Sequence, residues 1–226
     1  CRPVRGPSGR HSPDRRRFGR SGHAHVILPL GERFQIDHLP REQRGDLARL
    51  IALAFHEYPP FQHIYANLAG AAYQAALVRN FAYYIDLAWA VDDPVLGMWD
   101  GGRLIGGMLV HLPETPDWTE SQEQLTPEFS AYVDPQSFQR MLTFESMMDD
   151  NTPPLKVAHH YVDLVATDPD YQGRGHGRAF IEMAIDMSRR HSDSAAVCLS
   201  TETPANHEFY ERLGFEVVSS RTVDMV

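Results

Sequence analysis

One stretch in the last third of the 226-residue chain constrains the fold more than any other feature, because it runs strand, glycine loop, helix, strand. His160–Thr167 is an apolar-rich run of strand length, and Asp168-Pro169-Asp170 breaks it. Gln172-Gly173-Arg174-Gly175-His176-Gly177 follows directly. Gly175–Arg190 then places Ala179, Phe180, Met183, Ala184 and Met187 on one face, which is the period of a helix. Ala195–Leu199 reads as a short buried strand. Strand, helix and strand joined by short links imply a parallel, right-handed unit with helices on both faces of the sheet.

The loop itself has a chemistry. Glycines at alternating positions keep side chains away from the backbone, and the amides there can point outward at the positive end of the helix dipole. That arrangement suits a pyrophosphate. Arg174 and Arg178 add positive charge beside it. Two other nucleotide-binding patterns are excluded. A dinucleotide fingerprint needs Gly-x-Gly-x-x-Gly, and the third glycine comes one residue early. A P-loop needs Gly-Lys-Ser or Gly-Lys-Thr, and the chain has neither there.

Upstream, Arg33–His38 reads as a first strand. Leu39–Phe55 reads as a helix with a stripe of Leu47, Leu50, Ile51, Ala54 and Phe55, stopped by Tyr58-Pro59-Pro60. Ala69–Ala90 is a long Ala-rich helical segment. Val95–Trp99 and Arg103–His111 flank Asp100-Gly101-Gly102 as a hairpin. Residues 112–135, rich in Pro, Thr and Glu, read as a loop, and Gln136–Asp150 as a helix. After the glycine loop, Asn206–Leu213 reads as a short helix and Phe215–Val226 as a final strand. The expectation is a mixed α/β domain over residues 26–226 with about six or seven strands.

Residues 1–25 differ in kind. They hold seven Arg and one Asp with almost no apolar residues, so they are expected to be a disordered tail. His11, His23 and His25 lie in that tail, and no metal is assigned to them. The whole chain carries a net charge of −9, so the body is more acidic than that value. An acidic body argues against nucleic acid as a partner and suits a cationic one. No stretch of 18 apolar residues is present, so no membrane partner is expected. Cys1 and Cys198 stand at opposite ends of the chain and do not read as a disulfide framework, which favours a reducing cytoplasm.

The segment Val165–Arg178, VATDPDYQGRGHGR, resembles the acetyl-CoA-binding motif of the GNAT N-acetyltransferases. The pattern Gln/Arg-x-x-Gly-x-Gly/Ala is met by Gln172, Gly175 and Gly177. A second motif resembles the family at the right distance, Asn206-His207-Glu208-Phe209-Tyr210-Glu211-Arg212-Leu213-Gly214-Phe215. The likeness is close over 157–218 and looser over 33–156. Ala54-Phe55-x-x-Tyr58-Pro59 looks most like puromycin N-acetyltransferase and its relatives.

The resemblance implies an acyltransferase with acetyl-CoA as co-substrate and a small-molecule amine as acceptor. In the family two parallel strands splay apart and admit the pantetheine arm, here His160–Thr167 and Val197–Thr201. The main chain of Val165, Ala166 and Thr167 would pair with that arm as an added strand. Gln172 and the amides of Gly173, Arg174, Gly175, His176, Gly177 and Arg178 would hold the pyrophosphate. Asn206 would contact the pantetheine or cap the last helix. Tyr210 matches the tyrosine near the thioester sulfur and would be a general acid, or else would pack with Phe209 and Phe215 as core. By period-two alternation Asp163 shares a face with Val165 and Thr167. It is a candidate base, an anchor for the substrate ammonium, or a satisfied buried carboxylate. Many relatives carry a glutamate base on the later strand, where this chain has Cys198-Leu199-Ser200-Thr201 with Glu202 just beyond. His159 and His160 face opposite sides of their strand, and His160 is a candidate for the acceptor pocket. Glu57 and Tyr58 end the first helix where relatives build that pocket. A homodimer is common for such domains in the family. The rival readings are a protein or peptide acetyltransferase and a non-catalytic acyl-CoA-binding module.

Overall fold

The computed structural model describes residues 1–3, 34–116, 118–151 and 157–220. The tail histidines and most of the tail therefore lie outside the described residues. Six strands form one sheet: β1 (Arg2–Pro3), β2 (Phe34–His38), β3 (Val95–Asp100), β4 (Arg103–His111), β5 (His159–Thr167) and β6 (Ala196–Leu199). Their order is β1-β6-β5-β4-β3-β2. Only β5 and β6 run parallel; the other neighbours are antiparallel. Among the described residues seven α-helices accompany them: α1 (Arg44–Ala54), α2 (Pro59–Ile64), α3 (Gly70–Ala90), α4 (Thr119–Ser130), α5 (Pro135–Asn151), α6 (His176–Arg190) and α7 (Pro204–Arg212).

The sheet separates two apolar layers. One packs Leu47, Ile51, Leu77, Phe81 and Ile85 of α1 and α3 against Val95, Leu109 and Ala166. The other packs Phe180, Met183 and Ala184 of α6 against Met98, Ile105, Met108 and Val162. Both layers press on the middle of β4, where side chains would be in the way. A Cβ on Gly107 would collide with Leu47 of α1. A Cβ on Gly106 would stand 2.8 Å from the Phe180 ring and 2.9 Å from the Ala166 carbonyl. The Gly106-Gly107 pair thus lets one helix approach each face.

Most expected elements form within a residue or two of their expected ends. Four differences are informative. Residues 119–130 are α4, although the segment reads as a loop and Pro127 lies inside it. Burial decides this: Phe129 stacks on Tyr83 at 4.4 Å and offsets weak helix propensity. Tyr58-Pro59-Pro60 starts a helix as well as ending one, with proline in the first turn of α2. Residues 215–220 form no strand, and 221–226 lie outside the described residues.

The fourth difference concerns the cysteines. Arg2 pairs with Val197 in the antiparallel ladder of β1 and β6, which sets Cys1 opposite Cys198. The two form a disulfide, with Cα atoms 4.2 Å apart. Residues 1–3 are thus ordered against the sheet rather than part of a loose tail. The argument for a reducing compartment rested on separate cysteines and loses that premise. Among the described residues no helix is long and apolar enough to cross a membrane.

Candidate active site

The site begins where β5 and β6 part. His159–Val162 pair with Ala196–Leu199, and no further residue of β5 has a partner in β6. Asp163–Thr167 therefore present an open edge on the β6 side. Within this stretch the ladder to β4 also slips. Leu109 pairs with Leu164 and Val110 with Val162, leaving Asp163 as the extra residue. The side chains record the same slip. Val162 and Val165 join the α6 layer, while Leu164 and Ala166 pack with the α1 and α3 layer. Asp163 is thus aimed by a bulge rather than by simple alternation with Val165 and Thr167, as bulges often do beside active sites.

A cavity of about 380 Å³ opens at the splay. Val162–Val165 line it from β5, Leu199–Glu202 from the end of β6, and Asn206 and Tyr210 from α7. Asp163 keeps accessible surface toward this cavity, yet the packed walls withdraw bulk water from it. That burial pushes its pKa up to about 8; the charge of His111 opposes the shift and that of Asp93 adds to it. Tyr210 is held edge-on against Phe209 at 5.1 Å and beside Phe215 at 5.7 Å. Burial, then the charge of Glu202, pushes its phenol up to about 12. Tyr210 therefore packs with these rings and also reaches the cavity with its proton retained at neutral pH.

The glycine loop lies at the head of α6. Gly173 and Gly175 have φ of 73° and 88°, and a Cβ on either would meet nothing within 4 Å. Gly175 precedes the first helical residue, and the helical ladder starts with the Ala179 N–H donating to the Gly175 carbonyl. The amides before it fall outside that ladder. The side chains nearby are otherwise engaged. Arg174 donates to the Asp170 carbonyl at 2.8 Å and lies over the Tyr171 ring. Arg178 bonds Glu182 at 2.8 Å, and Gln172 donates to the Thr167 carbonyl at 3.1 Å. The His176 ring turns inward against Phe34, so only its main chain faces the loop. Asn206 does not cap α7; Thr203 does, accepting from the Asn206 N–H at 3.3 Å. An open strand edge, a cavity beside it and a bare loop beyond the end of the strand fit an acyl-CoA lying along the splay.

On the other side of Asp163 the cavity is walled by aromatic residues. Phe55 caps the end of α1, Phe61 lies within α2, Phe81 and Tyr84 come from α3, Phe144 from α5, and Trp118 from the turn before α4. Trp118 is fixed by buried Asp93, which accepts from its indole at 3.3 Å. Asp93 also bonds His111 at 2.6 Å and accepts from Thr115 at 2.9 Å. Glu145 of α5 lines the wall and accepts from the Tyr84 hydroxyl at 2.9 Å. Tyr58 lines it too and donates to Glu202 at 2.5 Å, joining the two sides.

Two expected pocket residues are elsewhere. Glu57 points outward, bonded to His56 at 2.7 Å and Gln62 at 3.1 Å, and does not line the cavity. His160 is fully buried on the α6 side, bonded to Ser194 at 2.8 Å with its ring 5.4 Å from that of His191. Burial, then the charge of His191, lowers its pKa to about 4. Phe144, Glu145, Trp118 and Phe81 were not expected, and no local pattern marks them.

Residues 143–217 match the family model described as an acetyltransferase (GNAT) domain. That match indicates an acyltransferase, and acetyl-CoA is the co-substrate of the GNAT family. It spans the splay, the glycine loop and α7. A comparison with curated proteins found no match. Solved structures share the fold. A protein from Corynebacterium glutamicum, titled histone acetyltransferase HPA2 and related acetyltransferase, has a TM-score of 0.53 at 16% identity, covering 84% of this chain and 92% of that one. A GCN5-related N-acetyltransferase from Ralstonia eutropha has a TM-score of 0.51 at 16% identity, covering 84% and 97%. Neither likeness supports the puromycin N-acetyltransferase subtype. At such identity the shared property is the fold alone, a mixed sheet with helices on both faces.

Proposed function

We propose that the chain transfers an acetyl group from acetyl-CoA directly to the primary amine of a small molecule. The observation that carries this reading is the opening of Asp163 and Tyr210 into one cavity at the parting of β5 and β6. The thioester would lie along the β5 edge, with main-chain groups of Val165 to Thr167 beside the pantetheine and the Gly173–Arg178 amides around the pyrophosphate.

Asp163 takes the proton of the incoming ammonium in its ionised form, whose share grows as pH rises toward its pKa near 8. The freed amine attacks the thioester carbonyl carbon and a C–N bond forms; as the C–S bond breaks, the nitrogen releases its second proton to solvent and the neutral amide is left. Tyr210 gives its phenolic proton to the departing thiolate. The proton held on Asp163 then restores the tyrosine through solvent, so charge balances over the cycle. Holding both reactants in one cavity supplies the orientation. A small acceptor is favoured because α4, α5 and Trp118 wall the cavity where an extended peptide would need an open groove.

Calorimetric titration of the full chain with acetyl-CoA, NAD and ATP separately tests the first half of this reading. Saturable binding of acetyl-CoA alone is expected. Failure of acetyl-CoA to bind the folded protein overturns it. Release of free thiol from acetyl-CoA in the presence of amines tests the second half.

A further inference from the structure

Resting on that reading, we infer that the acceptor is an amine carried on an aromatic or bulky apolar body without a carboxylate. Two independent properties of the cavity point the same way. Its acceptor side is walled by Phe55, Phe61, Phe81, Tyr84, Trp118 and Phe144. Three of these rings are fixed to one another: Phe61 meets Phe81 at 4.9 Å and Phe55 meets Phe81 at 5.4 Å. Such a wall rewards an apolar body that leaves water, in proportion to the area covered.

The second property is the sign of the charge. Among the described residues the ionisable carboxyl groups on the wall are Glu145, Asp163 and Glu202, and no Lys, Arg or His lines the cavity. An ammonium entering it meets carboxylates and ring faces, both of which attract cations. A carboxylate entering it would lose its water without gaining a cationic partner. A free amino acid is therefore excluded by its carboxylate, although its amine has the right chemistry. A linear polyamine has the right charge but leaves the aromatic wall against hydrated ammonium groups. Glu145, held by Tyr84, and the ring of Phe144 one position earlier on α5 are the residues that set this preference.

Three probes separate the possibilities: phenethylamine, phenylalanine and spermidine. The first two share a ring and an amine and differ by the carboxylate; the third has amines and no ring. Calorimetric titration of the full chain saturated with CoA is expected to give phenethylamine at least tenfold tighter than either other probe. Phe144→Ala is expected to weaken phenethylamine about tenfold and leave acetyl-CoA affinity unchanged, with Phe144→Leu recovering part of the loss. Equal or tighter binding of phenylalanine or spermidine overturns the inference, as does no binding of phenethylamine. The transfer reading fails separately. A protein that binds phenethylamine yet never releases CoA keeps the cavity preference and loses the chemistry, whereas one that releases CoA with spermidine alone keeps the chemistry and loses the preference.

Discussion

The half of the molecule from β5 to α7 and the half from α1 to α5 share one cavity but build their walls differently. The first uses main chain: an open strand edge beyond Val162, a loop with left-handed Gly173 and Gly175, and a helix start. The second uses side chains gathered from Phe55 to Met148, held by ring packing and by the Asp93 cluster. Main-chain recognition needs particular residues at fixed short spacing, so it leaves a motif. Side-chain recognition needs only that several helices converge, so it leaves none. The first half should therefore be sensitive to backbone changes and indifferent to the acceptor, and the second the reverse.

The residue where the halves meet should show the largest effect. Tyr210→Phe removes the proton donor and keeps the ring packing on Phe209 and Phe215. We expect kcat to fall by about 10²–10⁴ with acetyl-CoA affinity unchanged. Stopped assays for free thiol beside calorimetry check it; an unchanged kcat would make Tyr210 a packing residue only. Next in size is Gly106→Ala in β4, where both layers press on one strand. Its new Cβ would meet the Ala166 carbonyl, which belongs to the sheet and has little room to move. A loss of about 1–3 kcal/mol is expected from denaturant melts. A smaller loss would mean that the two layers yield more than their packing implies.

Legibility in the sequence follows the same division. The glycine loop, the α6 stripe and the run around Tyr210 are local patterns, and each lies where its pattern requires. α4 was hidden because Pro127 and a polar composition read as loop, and only the burial of Phe129 on Tyr83 overrides them. Asp163 is instructive: alternation selects it, but the bulge opposite Leu109 and Val110 is what aims it, and no residue there signals a bulge. His160 and Glu57 are expected in the pocket only from their position along the chain, and tertiary packing turns both away from the cavity. The Cys1–Cys198 bond spans 197 positions, and no local pattern announces a contact of that reach.

Gly175→Ala should fall below these. With φ at 88°, an L side chain there is strained by about 1–2 kcal/mol. The loop would shift away from the left-handed conformation, weakening acetyl-CoA by about tenfold. Phenethylamine should bind as before, because no part of its wall comes from the loop. Equal weakening of both ligands, measured by calorimetry, would break the division between the halves.

The smallest expected effect comes from Asp163→Asn and is read as stability. The carboxyl has a folded pKa of about 8, well above the unfolded value of about 4. Between those two pH values the unfolded chain has released the proton and the folded chain still holds it. Folding stability contributed by this group therefore falls as pH rises from about 4 toward 8, and is unaffected below 4. Asparagine cannot ionise and removes that decline. The variant should match the parent near pH 4 and exceed it by about 1 kcal/mol near pH 8, the effect being held down by the water that reaches the carboxyl through the cavity. Thermal melts of both proteins across this range check the sign. Activity should move the opposite way, since the base is lost at the pH where stability is gained. A variant less stable than the parent at pH 8 would mean that Asp163 is a satisfied, ionised group, and the proton acceptor would then have to be sought at Glu202, on the same cavity wall.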